Sequence, residues 1–391
     1  MHDRKVVLKP GKEKALLNRH PWIFSGAVGA MPTFENGEIL SVYSSCGTFL
    51  AKAYFHRENS ICGRVLTFVD EPIDKAIDQR ISEAIALREG MFDREITNCF
   101  RLINAEGDGL PGIVVDLYDD VAVVQINTTG MERLKPFILD QLKSKLNLRG
   151  IYEKSLTSAR RQEGLPDATG VLYGQCPKEV LVKENGVLFL ISIEEGQKTG
   201  FYLDQREMRQ LIHRLSKNKR VLNCFSYTGG FSLFALKGGA ERVTSVDSSE
   251  GALRYARENT LLNRIELSKH DVVKSDVFDY LQTPNNGFDI VILDPPAFAK
   301  KRQDVSDACR GYKEINRRVL EMMPPDSYLL TCSCSHFIDE DLFQQLVFQA
   351  AIEAKREAVI CSRHIQAADH PVSLFHPEGE YLKSVLLHIK G

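Results

Sequence analysis

The stretch SYLLTCSCSH, residues 327–336, runs an apolar, strand-like segment into two cysteines one residue apart and then a histidine. A cysteine at a strand tip can act as a nucleophile when its thiolate is accessible and its surroundings are electropositive. The chemistry that most needs such a group is methylation of a pyrimidine at C5, a carbon too weakly nucleophilic to take a methyl group directly. Addition of a thiolate at C6 makes C5 enamine-like and splits one hard step into two easier ones. A base must then remove the C5 proton before the thiol can leave. Cys334 lies forty residues after Asp294, which opens the run DPPAFAK (294–300). Pro295 and Pro296 stiffen that turn and donate no hydrogen bond, so a flat ring can lie against the loop. Strand alternation puts Cys332 and Cys334 on one side, and the pattern does not choose between them. A free cysteine is also commonly a small buried hydrophobe, a reading that suits Cys332. His336 suits a base, a phosphate contact or a plain loop histidine. Lys300, Lys301 and Arg302 suit phosphate contacts or a solvated charge run.

A second constellation points to a nucleoside. NCFSYTGGFS (223–232) follows an apolar strand and opens a helix. Gly229 and Gly230 let the backbone approach a ligand at a helix start, and Asn223, Phe225 and Tyr227 share that turn. Asp247, at the tip of the next strand, is placed to accept two hydrogen bonds from ribose hydroxyls, and Asp276 could accept from an adenine amine. Taken singly, the glycines could be only a tight turn and Asp247 only a helix cap. Together they favour a nucleoside site. The G-x-G-x-x-G needed to seat a pyrophosphate is missing, which tips the choice from NAD toward S-adenosylmethionine (SAM). Asp294 counts among the cofactor-facing groups as well as the catalytic ones.

The elements that must position these residues are legible from texture. From about residue 219, apolar strands alternate with helices, the signature of a parallel sheet covered on both faces. In such sheets ligands collect at the carboxyl ends of the strands, near the switch in strand order. The first seventy residues are short β-like pieces punctuated by Gly and Asn. Next comes a helical stretch in which Ile77, Ile81, Ala84, Ile85 and Leu87 recur at roughly helical spacing. A hairpin at GIVVDLYDDVAVVQIN, a helix near 131–146 and short strands around 150–153 and 187–193 follow. At 391 residues the chain calls for two or three domains.

Composition excludes some classes. A net charge of −2 gives no global attraction to nucleic acid or membrane, so any basic surface must be local. Residues 1–70 carry nine Lys and Arg against six Asp and Glu, a local excess of three positive charges. No run of 18 apolar residues suits a membrane span, and the start has no signal-peptide core. Nine scattered cysteines without C-x-x-C read as reduced thiols in a cytoplasmic protein, with neither a disulfide framework nor a metal site.

DPPAFAK, ACRGYKEIN (308–316), TCSCSH, EEGQKTGFYLDQREMR (194–209) and AADHPVSLFHPEGEYLK (367–383) resemble the ribosomal RNA large-subunit methyltransferase I family. NRHPWIFSGAV (18–28) and DGLPGIVVDLY (108–118) extend the resemblance over nearly the whole chain. It implies an α/β fold: a Rossmann-like class I methyltransferase domain (191–391) preceded by a PUA-type RNA-binding β domain (1–70) and an α+β connecting domain (71–190) built of two hairpins around a helix. The implied activity is SAM-dependent methylation of 23S rRNA at cytosine C5. The family's nucleophile maps onto Cys334 within Ser333-Cys334-Ser335. Phe201, Asp204, Gln205 and Arg206 are implied to line the donor pocket. Arg160 and Arg161 are implied to grip RNA, and Arg310 and Tyr312 to shape a target pocket with Pro295, Pro296 and Phe298. Related enzymes carry a helper cysteine where this chain has Pro296, so the base that frees the product is unassigned. The implied partner is 23S rRNA or a large-subunit assembly intermediate, without a membrane and with room for a homodimer. Two other readings remain open here: a guanine methyltransferase of the same architecture, and a non-catalytic RNA-binding assembly factor.

Overall fold

The computed structural model describes residues 4–282, 287–299 and 301–390. Contacts divide the chain into two units. One comprises residues 1–183, Ile191–Leu203 and Ala368–Gly379; the other comprises Glu184–Leu190, Asp204–Ala367 and Glu380–Gly391.

Among the described residues, two sheets lie wholly within the first unit. Strands Lys5–Leu8, Trp22–Phe24, Val28–Ala30, Ile39–Tyr43, Phe49–Phe55 and Ile61–Thr67 form a six-stranded sheet. In ILSVY, Leu40 and Val42 are buried while Ile39, Ser41 and Tyr43 are half-buried, and Phe49–Phe55 and Ile61–Thr67 bury residues on both faces. Strands Cys99–Asn104, Ile113–Tyr118, Val121–Ile126, Gly150–Ser155 and Ala168–Gly174 form a five-stranded sheet, with helices Ile73–Met91 and Thr129–Lys145. Ala76, Ile77, Ile81, Ala84 and Ile85 make the buried stripe of the longer helix, as a 3.6-residue period requires. Leu87, expected on that stripe, is 42% exposed, because it sits off the face that Ile77, Ile81 and Ile85 define.

The segment 368–379, part of a motif quoted above, fastens into this unit. Asp369 accepts from the Arg101 backbone N–H at 2.8 Å, and its carbonyl accepts from Arg88 at 2.8 Å. Arg88 in turn forms a paired ion bridge with Asp108 at 2.6 and 2.8 Å. Such a fully buried guanidinium is tolerable only with this full set of partners.

The second unit is a seven-stranded sheet whose strands, numbered here in chain order, are β1 (Arg220–Cys224), β2 (Arg242–Asp247), β3 (His270–Lys274), β4 (Ile290–Leu293), β5 (Ser327–Ser333), β6 (Ala358–His364) and β7 (Lys383–Ile389). Their spatial order is β3-β2-β1-β4-β5-β7-β6. β1 to β5 run parallel, and β7 is antiparallel to both β5 and β6. Helices α1 (Arg206–Leu215), α2 (Gly230–Lys237), α3 (Glu250–Leu262), α4 (Val277–Tyr280), α5 (Val305–Met322) and α6 (Glu340–Glu353) accompany it. β4, IVIL, is buried at every position, the pattern of a central strand covered on both faces. Strand order reverses between β1 and β4, and that is where such sheets bind ligands.

Candidate active site

The turn after β1 is backbone-strained. Phe225 and Tyr227 have φ of 58° and 48°, and Gly229 has φ of 83°. Left-handed non-glycine residues cost about 1–3 kcal/mol each and cluster at ligand sites. Asp247, at the end of β2, holds this turn. One carboxylate oxygen accepts from the Tyr227 backbone N–H at 2.8 Å and the other from Ser249 at 2.9 Å. Helix α3 is capped by the Ser249 side chain and not by Asp247. A carboxylate offers about four acceptor sites, so two backbone bonds leave capacity for a ribose diol. Asp276 does cap a helix: its Oδ1 accepts from Phe278 N–H at 2.7 Å at the start of α4, and it is exposed.

Asn223 is 1% exposed. Its Nδ2 donates to Ser232 Oγ at 2.8 Å, and a buried chain continues through Ser245 Oγ (2.6 Å) to His270 Nε2 (2.7 Å) and on to Thr260 (2.6 Å). Burial pushes the His270 pKa down to about 4, so the ring is neutral near pH 7 and the chain stays uncharged. Nothing in the sequence patterns flagged Ser232, Ser245 or His270, since their positions become informative only once β1, β2 and β3 are aligned. Among the described residues, Asn223 Oδ1, Ser226 Oγ and Thr228 Oγ1 are buried without a hydrogen-bond partner. Orphaned polar atoms are costly, and these three surround the strained turn. They fit the polar chemistry of a nucleoside ligand such as SAM.

At the other strand tips, Gln205 Nε2 donates to Asp294 Oδ1 at 3.0 Å. Asp204 accepts from Tyr381 Oη at 2.6 Å. Arg206 approaches Glu184 at 3.4 Å, and Arg209 binds both oxygens of the same carboxylate at 2.6 Å. Tyr381, Glu184 and Arg209 carried no sequence signal of their own. Phe201 belongs to the first unit, where it is 3% exposed and its N–H donates to Tyr118 Oη at 3.1 Å. Tyr118 Oη and Thr199 Oγ1 lie 2.8 Å apart, and Thr199 donates to Asp116 at 2.6 Å.

The two thiols separate clearly. Cys332 is wholly buried inside β5, and burial, followed by the charge of Asp294, raises its pKa well above the ordinary thiol value. Cys334 lies one residue past the end of β5, is partly exposed, and has its Sγ 3.9 Å from the carbonyl oxygen of Pro295. The alternation argument fails for this pair because the strand ends at Ser333. Phe298 packs on the Tyr312 ring with centroids 4.6 Å apart, and the Tyr312 and Ser335 hydroxyls lie 3.0 Å apart. Pro295 is buried and Pro296 is exposed. Thus Asn223, Phe225, Tyr227, Gly229, Asp247, Asp294, Pro295, Pro296, Phe298, Tyr312 and Cys334 are held by the carboxyl ends of β1, β2, β4 and β5 or by groups packed on them.

Three arginines stand apart. Arg160 is 2% exposed, donating to Glu132 at 2.7 Å and to the carbonyl of Ile126 at 3.0 Å. This is the bonding of a structural guanidinium, whose charge is already matched. Arg310 is exposed and pairs with Asp307 one turn earlier. Arg161 is exposed and forks onto Asp167 at 2.8 and 2.7 Å. His336 and Lys301 are exposed, and Lys300 lies outside the described residues. Among the described residues no group of three or more His, Cys, Asp or Glu could hold a metal ion, and no helix is long and apolar enough to cross a membrane.

Comparison with known proteins bears on this crevice. Residues 150–363 match the S-adenosylmethionine-dependent methyltransferase family and residues 6–68 a PUA-like domain. A relative from Aliivibrio fischeri (strain ATCC 700601 / ES114), 45% identical over 97% of both chains, is named ribosomal RNA large subunit methyltransferase I. One from Vibrio vulnificus (strain YJ016), 43% identical over 97% of both, bears the same name. A solved methyltransferase-type structure complexed with SAH superposes with a TM-score of 0.85 at 24% identity, covering 98% of this chain and 99% of its own. A Streptococcus mutans structure gives 0.84 at 24% identity over the same shares. These two likenesses bear on the fold.

Proposed function

The chain belongs to the ribosomal RNA large subunit methyltransferase I family and is a SAM-dependent rRNA methyltransferase, and on that premise we propose that it methylates C5 of a cytosine in 23S rRNA through a covalent adduct at Cys334. The observation that carries this reading is the partly exposed Cys334, its Sγ beside the Pro295 carbonyl, with the other cysteine of the pair sealed in the strand.

The donor pocket in this reading is the β1 turn with Asn223, Phe225, Tyr227 and Gly229, the carboxylate of Asp247 for the ribose, and Asp204, Gln205 and Arg206. Bound there, SAM supplies an electrophilic methyl group. Cys334 Sγ forms a bond to C6 of the ring, and the electron pair of the C5–C6 double bond becomes available at C5. Once C5 carries the methyl group, loss of its proton restores the double bond and expels the thiolate. Asp294 offers an acceptor for the 4-amino group of cytosine, a donor that uracil lacks. Pro295, Pro296 and Phe298 supply the flat, apolar wall for the ring. Since a base inside a helix hides C5 and C6, the substrate is single-stranded or extruded RNA. Residues 1–70 hold flanking RNA, 71–190 connect, and 191–391 carry the transfer. The local positive excess of residues 1–70 gives salt-sensitive binding with a confined footprint.

Digestion of 23S rRNA after incubation with protein and SAM, followed by nucleoside mass analysis, tests this reading. 5-Methylcytidine is the expected product. A methylated guanosine would replace the reading with purine chemistry on the same fold.

A further inference from the structure

Lys383 is the first residue of β7 and pairs in register with Ser333, the residue before Cys334. It is 7% exposed. Its Nζ donates to the carbonyl of Ser335, the residue after Cys334, at 2.7 Å, and to the carbonyl of Tyr381 at 2.8 Å. The ammonium is therefore tied to the backbone on one side of the thiol, while its own strand pairs with the backbone on the other. Among the described residues it makes no ion pair.

A buried lysine without a carboxylate is expensive. A neutral amine could satisfy both carbonyls with its two N–H groups, whereas an ammonium has a third donor to direct elsewhere. Burial lowers the Lys383 pKa, and a Cys334 thiolate is the foremost influence raising it, ahead of Asp339 and Glu380. A positive charge held at the backbone carbonyl next to a thiol-bearing residue favours a thiolate there.

We propose that Lys383 is the positioning residue that holds Cys334 as a thiolate, a role that rests on the cytosine-C5 reading for its purpose but not for its test. The proton lost from Sγ goes to solvent, and the ammonium keeps its own three. Among the described residues, Cys332 in β5 and Tyr312 on α5 also feel the charge of Cys334, Asp294 at the tip of β4 acts on Cys332, and Asp339 after β5 and Glu380 before β7 act on Lys383. Among the described residues, Lys383 is the cation hydrogen-bonded to the carbonyl of Ser335. As a purely structural tie, Lys383 would join β7 to the 335 loop and leave thiol reactivity alone.

The test is alkylation by iodoacetamide of the full-length native protein, with Cys334 followed by peptide mass analysis across pH 5.5–10. In the wild type the midpoint of the rate curve should lie below the ordinary thiol value of about 8.5. Lys383→Met should move it up by about one pH unit and slow labelling near pH 7 about tenfold, while Lys383→Arg stays within about twofold of wild type. SAM binding and thermal midpoints confirm that each variant is folded. A wild-type midpoint at or above about 8.5 would overturn the proposal without any variant. Superimposed curves for wild type and Lys383→Met would overturn it too. Labelling needs no RNA: a purine product would end the C5 reading and leave these curves as they are, and superimposed curves with 5-methylcytidine still formed would remove Lys383 alone.

Discussion

Replacement of Cys334 by alanine should lower kcat/KM for RNA methylation by on the order of 10³-fold or more, with SAM affinity within about twofold of wild type. The expectation is large because the thiol supplies a whole step: without the Sγ–C6 bond, C5 has no electron pair to offer. Binding should survive because the proposed donor groups Asp247 and Asn223 belong to β2 and β1, whereas Cys334 follows the end of β5. Cys332→Ala is the matched control. That thiol is wholly buried and its pKa is raised, so its loss should cost about 1 kcal/mol of stability and leave turnover within a few-fold. Single-turnover methyl transfer with both variants checks the pair. Near-normal activity in Cys334→Ala would remove the covalent route.

Asp247→Ala should weaken SAM binding about 100-fold or more in a calorimetric titration. Two hydrogen bonds from ribose to a carboxylate are worth about 1.5–3 kcal/mol each. The same substitution removes the acceptors for the Tyr227 and Ser249 N–H groups, so the left-handed turn loses its tether as well. Asp247→Asn keeps one good acceptor and should fall between. Unchanged affinity in Asp247→Ala would mean that the donor lies elsewhere in the sheet.

Much of this site could be read before any coordinates. The alternation of apolar runs and helices after residue 219 identified the parallel sheet, because strands covered on both faces must be apolar throughout. The strand-tip residues Asn223, Asp247, Asp294 and Cys334 followed from that sheet together with the rule for ligand position. What stayed illegible depends on register and burial. Cys332 and Cys334 look equivalent in a period of two, and only the end of β5 at Ser333 separates them. Arg160 reads as an RNA-gripping cation until Glu132 and the Ile126 carbonyl are found around it. The His270 chain and Lys383 come from strands far apart in sequence, so spacing cannot announce them. The resemblance carried the segment EYLK (380–383) into the family pattern without giving Tyr381 or Lys383 a role.

The most direct measurement is capture of the adduct itself. RNA carrying 5-fluorocytidine at the target position leaves no proton on C5 to remove after methylation, so the Sγ–C6 bond cannot be broken by the normal route. Incubated with SAM, the wild-type protein should give a denaturant-resistant protein–RNA species, and digestion should place the nucleotide on the peptide containing Cys334. Absence of that species while ordinary RNA is methylated, or attachment through another cysteine, would contradict the account.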